Sequence, residues 1–163
     1  MPNSVPTAVV MALMLSAAEA GAQQTASSTF RVAARVDAVC EVTAADLDFG
    51  AYSAQSGSPL LGTTVLQSTC TPNTTYNMGL DQGTTAGATV TDRRLASGSN
   101  NLSYQLYVDT ARTSIWGITP GTDTVVGVGT GATQSTTVFG AVPAAQIVPA
   151  GAYSDTITVR IFY

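Results

Sequence analysis

Beyond its N-terminal apolar run, the chain alternates apolar and polar positions in short bursts. In TFRVAARVDAVC (29–40), Phe30, Val32, Ala34 and Val36 fall on one face and Arg31, Ala33, Arg35 and Asp37 on the other. This is the period-2 pattern of a half-buried β-strand. The same period returns in LLGTTVLQSTC (60–70), in TTYNMGLD (74–81) with Tyr76, Met78 and Leu80, and in NLSYQLYVD (101–109) with Leu102, Tyr104, Leu106 and Val108. STTVFGAV (135–142) is rich in Thr and β-branched residues, and AYSDTITVRIFY (152–163) aligns Tyr153, Ile157, Val159, Ile161 and Tyr163. Turn-rich stretches such as QSGSP, TPN, DQGTTAG, ASGSNN, TPGTD and PAG separate the bursts. Outside the N-terminal run no long stretch has helical period. Short strands at this spacing predict an all-β sandwich.

The two ends of the pattern belong together. The last alternating burst runs to Tyr163, with nothing after it to pair as a hairpin. A sandwich ending this way is expected to leave a neighbouring sheet position unfilled, and residues 29–37 are a strand pattern in search of a sheet.

Residues 8–18, AVVMALMLSAA, form an apolar run of signal-peptide length that is too short to span a bilayer as a helix. Small residues follow, and cleavage is expected after Ala20 or Ala22. The leading MPNSVPT lacks the usual positive charge, which bears on the start site. The expected organisation is a signal peptide over 1–22, an extended segment over 23–38 and one domain over 39–163.

Composition narrows the function. Only 10% of residues are charged, against about a quarter in an average soluble domain. Six arginines, no lysine and ten acids give a net charge of −4, so nucleic acid is not an expected partner. A low-charge surface rich in Thr, Ser, Gly, Ala and Asn suits subunits that sit against one another. In an exported chain the two cysteines, Cys40 and Cys70, read as a disulfide, with buried free thiols as the alternative.

Catalytic chemistry finds little support. Without histidine there is no Ser-His-Asp or Cys-His arrangement, and two thiolates do not fill a zinc shell. No enzyme, metal or cofactor is expected. Asp46 and Asp48 share a strand face and form a possible carboxylate dyad or cation site; a solvated turn is the plainer reading. GVGTGA (127–132) lacks the Lys-Ser/Thr of a phosphate loop. Trp116 and the tyrosines fit the alternating core better than a sugar-stacking surface. NTT (73–75) and NLS (101–103) match glycosylation acceptors and carry little weight.

Several elements, in order, resemble the spore coat protein U family, which includes subunits of archaic chaperone–usher pili. They are FRVAARVDAVC, LDFGAYSAQSG (47–57), VLQSTC, RRLASGSNNLSYQLYVDTARTSIWG (93–117) and TVFGAVPAAQIVPAGAYSDTITVRIFY (137–163). The resemblance covers about residues 29–163. It implies an incomplete immunoglobulin-like sandwich of six own strands. Its seventh position would be filled first by a periplasmic chaperone and then by the N-terminal segment of the next subunit, delivered through an outer-membrane usher. On this reading Phe30, Val32, Ala34 and Val36 are the donor side chains, and Ile157, Val159, Ile161 and Tyr163 belong to the acceptor-groove strand. The expected product is a homopolymer, with related subunits, forming a surface pilus for attachment and biofilm formation. A secreted coat protein and a self-complemented carbohydrate-binding module are the alternatives.

Overall fold

The computed structural model describes residue 21 and residues 23–163. The expected signal peptide therefore lies, apart from Gly21, outside the described residues. The chain divides into two units, one up to Ala34 and one from Arg35 to Tyr163. The described residues of the first carry no regular secondary structure and are exposed; Phe30 is 87% and Val32 83% accessible. The strand pattern of residues 29–37 is thus not realised as a strand here. An alternating segment acquires that conformation only when a ladder partner satisfies its backbone.

In the second unit every assigned element is a strand: β1 (Cys40–Ala44), β2 (Leu60–Cys70), β3 (Thr75–Leu80), β4 (Arg93–Ser97), β5 (Asn100–Tyr107), β6 (Val125–Val128), β7 (Gln134–Val142) and β8 (Val159–Phe162). They form two antiparallel sheets, a five-stranded one in the order β1-β2-β7-β5-β4 and a three-stranded one in the order β6-β3-β8. Four of the expected strands stand within a residue or two of their expected bounds. The C-terminal one is shorter than its pattern, because residues 152–158 are held by side chains, one bridge from Ser154 to Ala96 and a single backbone hydrogen bond from the Asp81 N–H to the Thr158 carbonyl, rather than by a ladder. Eight strands stand where the resemblance implied six. The short β1, β4 and β6 escaped the pattern reading because four or five residues are too few to display a period. β4 and β5 form a hairpin across Gly98, which takes a φ of +61° that a tight turn requires and glycine adopts at little cost.

The alternation does what its period demands. Leu66 and Cys70 of β2, Tyr76, Met78 and Leu80 of β3, Leu102, Tyr104 and Leu106 of β5, and Val138 and Val142 of β7 all point into one core with Trp116. The Trp116 indole Nε1–H donates to the carbonyl of Met78 at 2.8 Å, so its one polar atom is satisfied. Cys40 and Cys70 face each other in the β1–β2 register and are joined as a disulfide.

Arg93 is an unexpected member of the core, with none of its surface exposed. Its guanidinium donates to the carbonyls of Asp81 at 2.8 Å, Leu80 at 2.9 Å and Trp116 at 2.7 Å, and to Gln105 Oε1 at 2.6 Å. Burial pulls its pKa down, opposed by Tyr104 and the nearby Asp81 and Asp155. The side chain ties β4 and β5 of one sheet to the end of β3 in the other.

A candidate assembly groove

The three-stranded sheet does not cover the whole inner face of the five-stranded one. Part of the rest is covered by residues 45–55, which continue from β1. Over residues 45–49 burial alternates, with Leu47 and Phe49 half-buried and Asp46 and Asp48 exposed. Ala45 is held by β2: its N–H donates to the carbonyl of Val65 at 3.2 Å and its carbonyl accepts from Thr64 Oγ1 at 2.8 Å. Leu47 and Phe49 seat over Gly62 and Gly140, which oppose each other in the β2–β7 register. A Cβ at Gly140 would lie 2.7 Å from both Leu47 Cδ2 and Phe49 Cζ. The glycine pair is the notch that admits them. Phe49 also meets Tyr104 edge-on, ring centroids 6.1 Å apart.

The opposite wall is the segment leading into β8. Asp155 is its latch. Oδ1 accepts from the Thr84 N–H at 2.8 Å, the Thr84 hydroxyl at 3.1 Å and the Thr156 N–H at 2.8 Å, and Oδ2 accepts from the Tyr104 hydroxyl at 2.8 Å. Burial, then this hydrogen bond, drives the Tyr104 phenol well above its usual pKa. Asp81 makes a second tie, accepting from the N–H groups of Thr158 at 2.9 Å and Gly83 at 3.0 Å. Its burial favours the neutral acid, but those backbone donors prevail and its pKa stays below the ordinary value. Gly83, at a φ of +87°, must lack a side chain, because a Cβ there would overlap the Asp155 carboxylate.

Between the walls the core is open. A cavity of about 590 Å³ runs between residues 44–49 and 155–159 and is floored by Leu66, Leu80, Leu106 and Val138. A second, of about 730 Å³, shares Leu47, Phe49, Leu95 and Asp155 with it and extends to Tyr52, Leu102 and Tyr153. At the mouth, β1 and β8, each the end strand of its sheet, come close to one another.

The residues singled out from the sequence are distributed as follows. Cys40 and Cys70 form the disulfide at the start of β1. Ile157 and Val159 line the smaller cavity, and Ile161 packs half-buried on the core. Tyr163 lies beyond β8 and is 61% exposed. Phe30, Val32, Ala34 and Val36 are exposed. Trp116, Tyr76 and Tyr104 are buried. The Leu47–Phe49 wall and the Asp155 latch were not assigned from the sequence. The Leu-Asp-Phe-Gly alternation was the one local signal for the wall, and for the latch it was the Asp-Thr of the C-terminal element. Among the described residues, no helix is long and apolar enough to cross a membrane.

Two antiparallel sheets with this topology define an all-β, immunoglobulin-like sandwich similar to the pilin folds of chaperone–usher subunits. The spore coat protein U domain profile matches residues 26–160, and the chain belongs to that family. It is 33% identical over 172 residues to "Protein U" of Myxococcus xanthus, an alignment covering 96% of this chain and 94% of that one. Among solved structures it is similar to a chain of the CsuC–CsuE chaperone–tip adhesion subunit pre-assembly complex from archaic chaperone–usher Csu pili of Acinetobacter baumannii. That match has a TM-score of 0.56 and 21% identity over 78% of this chain, and spans 40% of the length of the matched chain. At this identity the likeness is one of fold. The P pilus rod subunit PapA aligns over 76% of this chain and 98% of its own, with 12% identity and a TM-score of 0.48.

Proposed function

We infer that the protein is an exported structural subunit that polymerises by donor-strand complementation into a chaperone–usher surface pilus serving attachment and biofilm formation. Residues 23–38 of one subunit enter the groove of the next. The observation that carries this reading is the pairing of two incomplete features. One is an apolar groove open to the core beside β8; the other is an exposed segment, Phe30 to Val36, with apolar side chains at every second position. Each is a liability alone, since exposed core and unpaired strand edges invite aggregation, and each repairs the other. Burying four such side chains is worth on the order of 5–8 kcal/mol before ordering costs. The contact is heterologous and does not close on itself, so it propagates a filament. A periplasmic chaperone would fill the same groove before assembly, and an outer-membrane usher would pass the subunit to the surface.

The test is an unheated SDS gel of the mature chain co-expressed with its cognate chaperone and usher. Multimers that collapse to monomer on boiling, and disappear in Val32→Asp, are the expected result. A folded monomer unaffected by Val32→Asp would refute it. A coat protein assembled through the same groove is the second reading, favoured by the family's description as a spore coat domain. Filaments against a continuous layer in electron micrographs separate the two.

A further inference from the structure

Resting on the donor-strand reading above, we propose that the groove is charge-selective for a second copy of this chain. Its carboxylate lip, Asp46 and Asp48, receives Arg31 and Arg35 of the incoming segment 29–37. Asp46 and Asp48 are exposed on the outward side of the wall whose inward side carries Leu47 and Phe49. A strand laid into the groove with Phe30, Val32, Ala34 and Val36 facing the core turns Arg31, Ala33, Arg35 and Asp37 outward, level with those carboxylates. Neighbours on one face of paired strands interact, and opposite charges there are favourable.

The spacings suit each other. Two carboxylates two residues apart on a strand stand about 7 Å apart, and two arginines four residues apart stand about 13 Å apart. The arginines therefore flank the carboxylates and reach inward to them over the small Ala33. Among the described residues of the free chain Arg35 pairs with Asp37, two residues away, and the two side chains are 87% and 64% exposed. An ion pair that exposed contributes little, so exchanging it costs little. On the opposite lip, β8 presents Arg160 outward, which favours Asp37 and disfavours the arginines. The two lips thus differ in sign, and a donor segment with another charge order would meet like charge on at least one side. Asp48 accepts from the Gly50 N–H at 2.8 Å through one oxygen, leaving the other free to turn outward beside Asp46, and the pair acquires a role as the address label of the groove.

The experiment uses the chain from residue 23 to 163. It is unfolded in urea with its disulfide intact and refolded by dilution, with multimer formation followed on unheated SDS gels. Salt is varied from about 0.01 M to 1 M, over which the screening length shrinks from about 30 Å to about 3 Å. Wild type is expected to assemble more slowly as salt rises. Asp46→Asn with Asp48→Asn, or Arg31→Gln with Arg35→Gln, should slow low-salt assembly roughly 2- to 30-fold, as expected for two cross-strand pairs, and remove its slowing by salt. Reversing one side, Arg31→Glu with Arg35→Glu, should slow it further. Adding Asp46→Arg with Asp48→Arg should restore assembly, which a merely misfolded variant could not do. Multimers that Val32→Asp blocks, but that ignore all of these charge changes, would overturn the charge selection and leave the donor-strand reading standing. No multimers from wild type, either here or on co-expression with chaperone and usher, would overturn both.

Discussion

Asp155→Asn tests whether the groove wall is held by a charged latch. The substitution keeps the shape of the side chain and removes its charge. In the native arrangement three short hydrogen bonds, each of 2.8 Å, end on the carboxylate: from the Thr84 N–H, the Thr156 N–H and the Tyr104 hydroxyl. An asparagine can turn its oxygen towards Thr84 and Thr156. Its amide nitrogen then faces Tyr104, whose hydroxyl must become an acceptor and loses a partner for its own hydrogen. A hydrogen bond to a charged group contributes roughly 1.5–3 kcal/mol and a neutral one about 0.5–1.5. Three such downgrades therefore cost about 3 kcal/mol. Urea unfolding of the oxidised mature chain should show that loss with an unchanged slope. A double-mutant cycle with Tyr104→Phe isolates the share carried by the phenol, expected at about 1 kcal/mol or more. The wall it releases is the one beside β8, so Asp155→Asn should also slow multimer formation. A stability change within about 0.5 kcal/mol, the range of ordinary surface substitutions, would refute the latch.

Other consequences follow from the same structure. Arg93→Met leaves three buried carbonyls and Gln105 without their donor, and is expected to cost at least about 4 kcal/mol by urea denaturation; a loss below about 1 kcal/mol would mean that water replaces the guanidinium. Asp81 has a folded pKa below its ordinary 3.8, so the unfolded chain takes up its proton first. That stability is present above pH 3.8 and is lost as the pH falls towards the folded value, a fall that Asp81→Asn should reduce in an acid titration of the urea midpoint. Tyr104 acts in the opposite direction. Its raised phenol stays neutral in the fold while the unfolded chain ionises above about pH 10, so stability should decline with rising alkaline pH, and less steeply in Tyr104→Phe. Replacing Cys40 and Cys70 by serine opens a loop with a sequence separation of 30. The chain-entropy relation puts the cost at about 3–4 kcal/mol, readable as a lowered midpoint and, if β1 loosens, as faster proteolysis near residue 40.

Much of this architecture is legible in the sequence because a strand writes its own period. Tyr76, Met78 and Leu80, and Leu102, Tyr104 and Leu106, were each grouped on one face by alternation alone, and both faces lie inward. Residues 29–37 were conspicuous for the same reason, as an alternating stretch. Other features left no such trace. Nothing local in the short RRLAS stretch announces that four acceptors from three other parts of the chain converge on Arg93. Asp155 sits in an ordinary Ser-Asp-Thr run, 71 residues from the Thr84 it engages.

The sequence by itself determined the class of fold, the shared faces of β3 and β5, the likeness to a pilin family and the pairing of an even number of cysteines. Each of these follows from local period, composition or order along the chain. Only the tertiary structure decided which strands adjoin, why Gly62 and Gly140 must oppose each other, and where the sandwich stays open. Those outcomes depend on contacts between segments tens of residues apart. Their energies come from packing and from satisfying buried polar groups, and no local stretch of residues encodes either one alone.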